Sequence, residues 1–113
     1  MLTIKEKGIL MHIIKHCERI EEKIEGFDRD SFDKDEDAIE VVCFNLFQIG
    51  ELAKKLSSEF VTKYSKVPWR LIKGLRDQIV HGYETLDMDI IWVTATEDIQ
   101  PLREYCQNII NEV

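Results

Sequence analysis

Residues 38–56 read AIEVVCFNLFQIGELAKKL, a stretch in which apolar side chains return every three or four positions. Ala38, Val41, Val42, Asn45, Leu46, Ile49, Leu52, Ala53 and Leu56, continued by Phe60, make a helical face wide enough to meet more than one neighbouring helix or a second subunit. That face points to an all-α fold, a compact up-and-down bundle of four to five helices. Asn45 is polar within it and needs a hydrogen-bonding partner.

Upstream, Thr3 followed by Glu6 has the spacing of a capping box, so a helix starts there. Ile9, Ile13, Cys17, Ile20, Ile24 and Phe27 then recur at spacings of 4, 4, 3, 4 and 3, one stripe along a helix ending around Gly26. Asp28 to Asp37 is strongly acidic and nearly free of aliphatics, which predicts a connection, with the second helix starting between Ser31 and Asp35. Downstream, Pro68 suits the first turn of a third, short helix carrying Trp69, Ile72, Leu75 and Ile79. Asp87 caps a fourth helix with Ile90, Ile91, Trp92 and Ala95. Pro101 forces a kink or a new start, with Asp98 as cap, before Leu102, Tyr105, Cys106, Ile109 and Ile110. No strand-like alternation of useful length occurs.

With 113 residues the chain supports one ordinary core, hence a single domain over residues 1–113. A hydrophobic share of 44%, a charged share of 33% and only 5 Gly and 2 Pro fit a folded helical protein. Neither a signal peptide nor a membrane span is legible, which implies a cytoplasmic protein. Cys17, Cys43 and Cys106 are odd in number and widely spaced, and read as buried thiols; as a nucleophile Cys43 is disfavoured by its apolar surroundings.

The net charge of −7 argues against nucleic acid as a partner, but its distribution does not. Residues 54–76 hold seven basic side chains, Lys54, Lys55, Lys63, Lys66, Arg70, Lys73 and Arg76, against the single acid Glu59. Either this is one basic face for RNA or a set of solvated lysines; charge alone leaves both open.

That segment runs into RDQIVHGYE, residues 76–84. At about 100° per residue, Arg76 and Tyr83 lie roughly 20° apart, while Arg76 and His81 are about 140° apart on an unbroken helix. Two routes bring guanidinium and imidazole together: Gly82 ends the helix and lets His81 turn, or two copies of the motif meet across a two-fold axis. Asp77, four residues before His81, is spaced to orient the imidazole and raise its pKa. RNA cleavage without metal needs a base for the ribose 2'-OH, an acid for the leaving 5'-oxygen and a cation on the phosphorane-like transition state. Histidine suits the proton transfers and arginine the charge. The same residues serve equally as an Asp–His pair that only closes a helix end. Elsewhere, His12 and His16 have metal-ligand spacing but no third ligand, and read as solvated. Trp69 and Trp92 read as packing anchors. Glu51 is spaced to pair with Arg76, to meet a second subunit or to be solvated.

The Arg-x4-His-x-Tyr pattern of Arg76, His81 and Tyr83 resembles the signature of HEPN ribonucleases of the HepT-like toxins. Gly50-Glu51 with Ala53, Pro68-Trp69, Gly74, Trp92, and Asp98 with Pro101-Leu102 extend the similarity over nearly the whole chain. The resemblance implies a HEPN-like bundle that dimerises through its helices, as a homodimer or higher assembly, and cuts RNA as a metal-independent endoribonuclease needing no cofactor. Arg76 and His81 would be catalytic, with Asp77 and Tyr83 in support. It further implies a toxin–antitoxin pair in which a minimal nucleotidyltransferase antitoxin adenylylates (AMPylates) Tyr83. The family's second motif position is often Asn or Asp, and Asp77 fits. The chain departs from the family in its acidity. A different class also fits these residues: a catalytically silent helical module that binds a nucleotidyltransferase partner or a nucleotide.

Overall fold

The computed structural model describes residues 2–82 and 85–112, all of whose regular structure is helical. Helix α1 (Ile4–Ile24) begins at the expected box: the Glu6 N–H donates to the Thr3 hydroxyl at 3.0 Å, and the Thr3 N–H donates to the Glu6 carboxylate at 2.9 Å. Its stripe of Ile9, Ile13, Cys17 and Ile20 is buried, joined by Leu10. Gly26, at φ +83, takes the left-handed conformation that turns the chain beyond it.

The acidic stretch is more than a connection. Asp28 accepts from the Ser31 N–H at 2.8 Å and caps a short helix α2 (Arg29–Asp33). The cause is Phe32, fully buried with its ring centroid 5.0 Å from that of Trp92. Asp35 then caps α3 (Glu36–Lys54) by accepting from the Ala38 N–H.

The wide face does not run on to Phe60 as one helix. It stops at Lys54, Leu56 is buried in the connection, and the Ser57 hydroxyl caps a separate α4 (Ser58–Lys63). Phe60 on α4 packs on Tyr64 at 4.7 Å and Trp69 at 6.2 Å between ring centroids. The indole N–H of Trp69 donates to the Tyr64 carbonyl, so both tryptophans are packing anchors. Pro68 stands at the cap of α5 (Trp69–Val80), one position earlier than expected.

Asp87 caps α6 (Met88–Val93), which continues through a π-helical turn (Thr94–Asp98) into α7 (Ile99–Asn111). Asp98 makes no capping bond, contrary to expectation. Pro101 lacks an N–H and its ring clashes with a regular i−4 carbonyl, and the widened turn just before it relieves both demands without a new helix start. The bundle therefore consists of four long rods, α1, α3, α5 and α6–α7, with α2 and α4 as short pieces between them.

α1 packs against α3 and α7, while α5 leans chiefly on α3. The Arg103 guanidinium on α7 donates to both Glu21 carboxylate oxygens on α1. Asn45, 3% exposed, finds its partners: its amide nitrogen donates to the Val41 carbonyl at 2.8 Å, and its oxygen lies 2.7 Å from His16 Nδ1. With the amide nitrogen committed, the oxygen must accept, so His16 donates through Nδ1. His16 is thus half-buried and hydrogen-bonded rather than solvated, whereas His12 is exposed as expected. Between α5 and the α6–α7 rod lies a cavity of about 550 Å³ with mainly apolar walls, including Leu71, Leu75, Ile90 and Val93. No helix among the described residues is long and apolar enough to cross a membrane.

Phe32→Ala removes the anchor of α2 and the neighbour of Trp92, and is expected to cost about 3–5 kcal/mol, read as a lowered urea midpoint at unchanged m-value. An unaltered midpoint would mean that α2 is not held by this ring.

Candidate active site

The site is built where α5 crosses α3. A Cβ added to Gly50 would stand 2.2 Å from Arg76 Cβ and 2.7 Å from Arg76 Cγ, so the glycine is what lets the arginine stem lie on the α3 backbone. From there the guanidinium Nε donates to Glu51, and Nη1 donates to Asp77 at 2.8 Å. Its carbon sits 5.6 Å from the centre of the Phe47 ring, a cation–π distance. The hydrogen bonds to Asp77 and then Glu51 raise the arginine pKa above its already high ordinary value. The Arg76 side chain stays about 20% exposed, and two of its five N–H donors serve these bonds.

His81 is exposed and closes α5: its backbone N–H donates to the Asp77 carbonyl, and Gly82 follows at φ +120. This is the helix break that the sequence anticipates. The expected Asp77–His81 side-chain pair is not formed; the Asp77 carboxylate instead accepts from the adjacent guanidinium, which offers a nearby full positive charge. Glu51, left open between three readings, pairs with Arg76. Arg76 and His81 share no hydrogen bond within the described residues, as their wide separation around the helix predicts. Tyr83 lies outside the described residues.

Sequence reading missed Phe47 and the purpose of Gly50. Phe47 precedes Glu51 by four positions, and that spacing on α3 was the available signal. The cysteines behave as expected: burial pushes the Cys43 thiol up to about 11 and Cys106 up to about 12, and raises Cys17 as well. The basic residues Lys54, Lys55, Lys63, Lys66 and Arg70 are all exposed, on and around α4 and the start of α5.

An all-helical bundle is the architecture that the resemblance implies. Comparison with known proteins agrees: the chain belongs to the ribonuclease HepT-like family, which it matches over residues 13–109. A protein of Caldanaerobacter subterraneus subsp. tengcongensis, provisionally named an RNase, is 36% identical over 103 residues, spanning 91% of this chain and 92% of its own. One from Methanocaldococcus jannaschii, also provisionally named an RNase, is 30% identical over 110 residues, 94% of this chain and 91% of its own. A third, from Thermococcus cleftensis and provisionally named ribonuclease HepT, is 34% identical over 55 residues, 49% of this chain and 50% of its own. No solved structure matches the chain.

Gly50→Ala forces the α3–α5 crossing apart against backbone and the root of a side chain, and is expected to destabilise by roughly 1–3 kcal/mol. Thermal unfolding followed by circular dichroism measures this; an unchanged Tm would mean that α5 shifts freely over α3.

Proposed function

We propose that the protein is a metal-independent RNA endonuclease, the toxin of a toxin–antitoxin pair, acting through Arg76 and His81 at a homodimer interface. The observation that carries this reading is the braced, partly exposed Arg76 guanidinium one and a half turns before an exposed His81 at a glycine-broken helix end. A second copy across a two-fold axis supplies what one copy lacks, an imidazole opposite the guanidinium.

In this reading one His81, neutral, takes the 2'-OH proton. The 2'-oxygen bonds to phosphorus, the bond from phosphorus to the 5'-oxygen breaks, and the His81 of the second copy, protonated, gives that oxygen its proton. Arg76 meets the charge developing on the phosphoryl oxygens, and Asp77 and Glu51 hold it in place. The products are a 2',3'-cyclic phosphate and a 5'-hydroxyl. A minimal nucleotidyltransferase antitoxin transfers AMP from ATP to the Tyr83 hydroxyl with release of diphosphate, and the new phosphate then occupies Arg76 and excludes RNA.

One observation favours a second reading, a catalytically silent module that binds such a partner or a nucleotide: two carboxylates already neutralise Arg76. Purified protein with RNA and EDTA separates the two. His81→Ala removes an exposed side chain and is expected to lower cleavage by about 10²–10⁴-fold without altering the melting curve. Cleavage by His81→Ala at the wild-type rate would reject the enzyme reading.

A further inference from the structure

Phe44 is 55% exposed, although its chain neighbours Cys43 and Asn45 are buried. On α3, Phe44 and Glu51 fall roughly 20° apart and Phe47 lies between them along the axis, so the three form one stripe. That stripe is turned to Arg76, since Glu51 and Phe47 both touch the guanidinium.

The direction of α5 fixes the rest. α5 starts beside α4, at the C-terminal end of α3, where Trp69 meets Phe60. It leans on α3, where the Ile72 carbonyl and the Arg76 stem both lie against Gly50 and the guanidinium reaches Phe47, one turn nearer the start of α3. Phe44 lies about 4.5 Å of helix beyond Phe47, toward the start of α3. The exposed ring therefore stands on the same stripe of α3 as the two side chains that hold the guanidinium.

We propose that Phe44 is a stacking platform for the nucleobase beside the scissile phosphate, which makes the substrate single-stranded RNA. The assignment rests on the ribonuclease reading above. A cation for the phosphate next to a bare aromatic face for the base is the pairing by which unpaired RNA is gripped, whereas bases in a duplex have their faces covered. The exposed aliphatic side chains Leu71, Ile90 and Val93 gather at the cavity between α5 and α6, whereas Phe44 and Val80 are exposed outside it.

The test uses a single-stranded oligoribonucleotide with one cleavage site, and the same oligonucleotide made abasic next to that site. Phe44→Ala is expected to raise KM roughly tenfold on the intact strand, and Phe44→Trp to restore it. The abasic change should cost wild type a similar factor and cost Phe44→Ala nothing further, with the mass in light scattering unchanged. An unaltered KM, an abasic penalty retained in full by Phe44→Ala, or a fall in oligomer mass would each overturn the proposal. Binding of a strand carrying a 2'-deoxy sugar at the site is read independently of cleavage, as extra fluorescence quenching in Phe44→Trp relative to wild type. If wild type fails to cleave, the nuclease reading falls; if wild type cleaves and no extra quenching occurs, only the platform falls.

Discussion

The close approach of α5 to α3 at Gly50 is the constraint on which the other features depend. Only a residue without a side chain lets the Arg76 stem rest on the α3 backbone, and only then do Glu51 and Phe47, one turn apart on α3, reach the guanidinium together. The same crossing sets how α5 lies along α3, and so where its broken end presents His81. Packing and chemistry are fixed by one contact, which is why a glycine inside a long helix is tolerated despite its entropic cost.

The charge of the site follows from that bracing. Arg76 stands at the end of a strongly basic segment, yet two carboxylates accept its hydrogen bonds. The guanidinium is therefore oriented before any anion arrives, and among the described residues two of its five donors are engaged. The exposed lysines around α4 lie toward the other end of α5 and extend the positive surface away from the motif. An acidic protein thus carries a locally basic segment, residues 54–76, with most of its acids elsewhere in the sequence.

Where local chemistry decided, the fold was legible. The Thr3–Glu6 box, the α1 stripe, the Asp35 and Asp87 caps and the helix break at Gly82 are each set by a few neighbouring residues. Where a distant partner decided, reading failed. Phe32 is one aromatic in an acidic run, and its burial depends on distant partners, among them Trp92 sixty positions on. The end of α3 was missed because Leu56 and Phe60 keep helical spacing while belonging to different elements. Asp77 was assigned to His81 by the i,i+4 rule, but a neighbouring guanidinium competes for the same carboxylate. The Arg76–Glu51 pair was available as one of three options; choosing it required knowing that Gly50 brings the helices together.

The clip between His16 and Asn45 joins α1 to α3 through a histidine, a residue that often makes contacts sensitive to acid. Here the ring enters as donor, through Nδ1, because the amide nitrogen of Asn45 is taken by the Val41 carbonyl. The two longest helices are consequently fastened by a contact whose polarity is set from within α3, by the carbonyl one turn before Asn45.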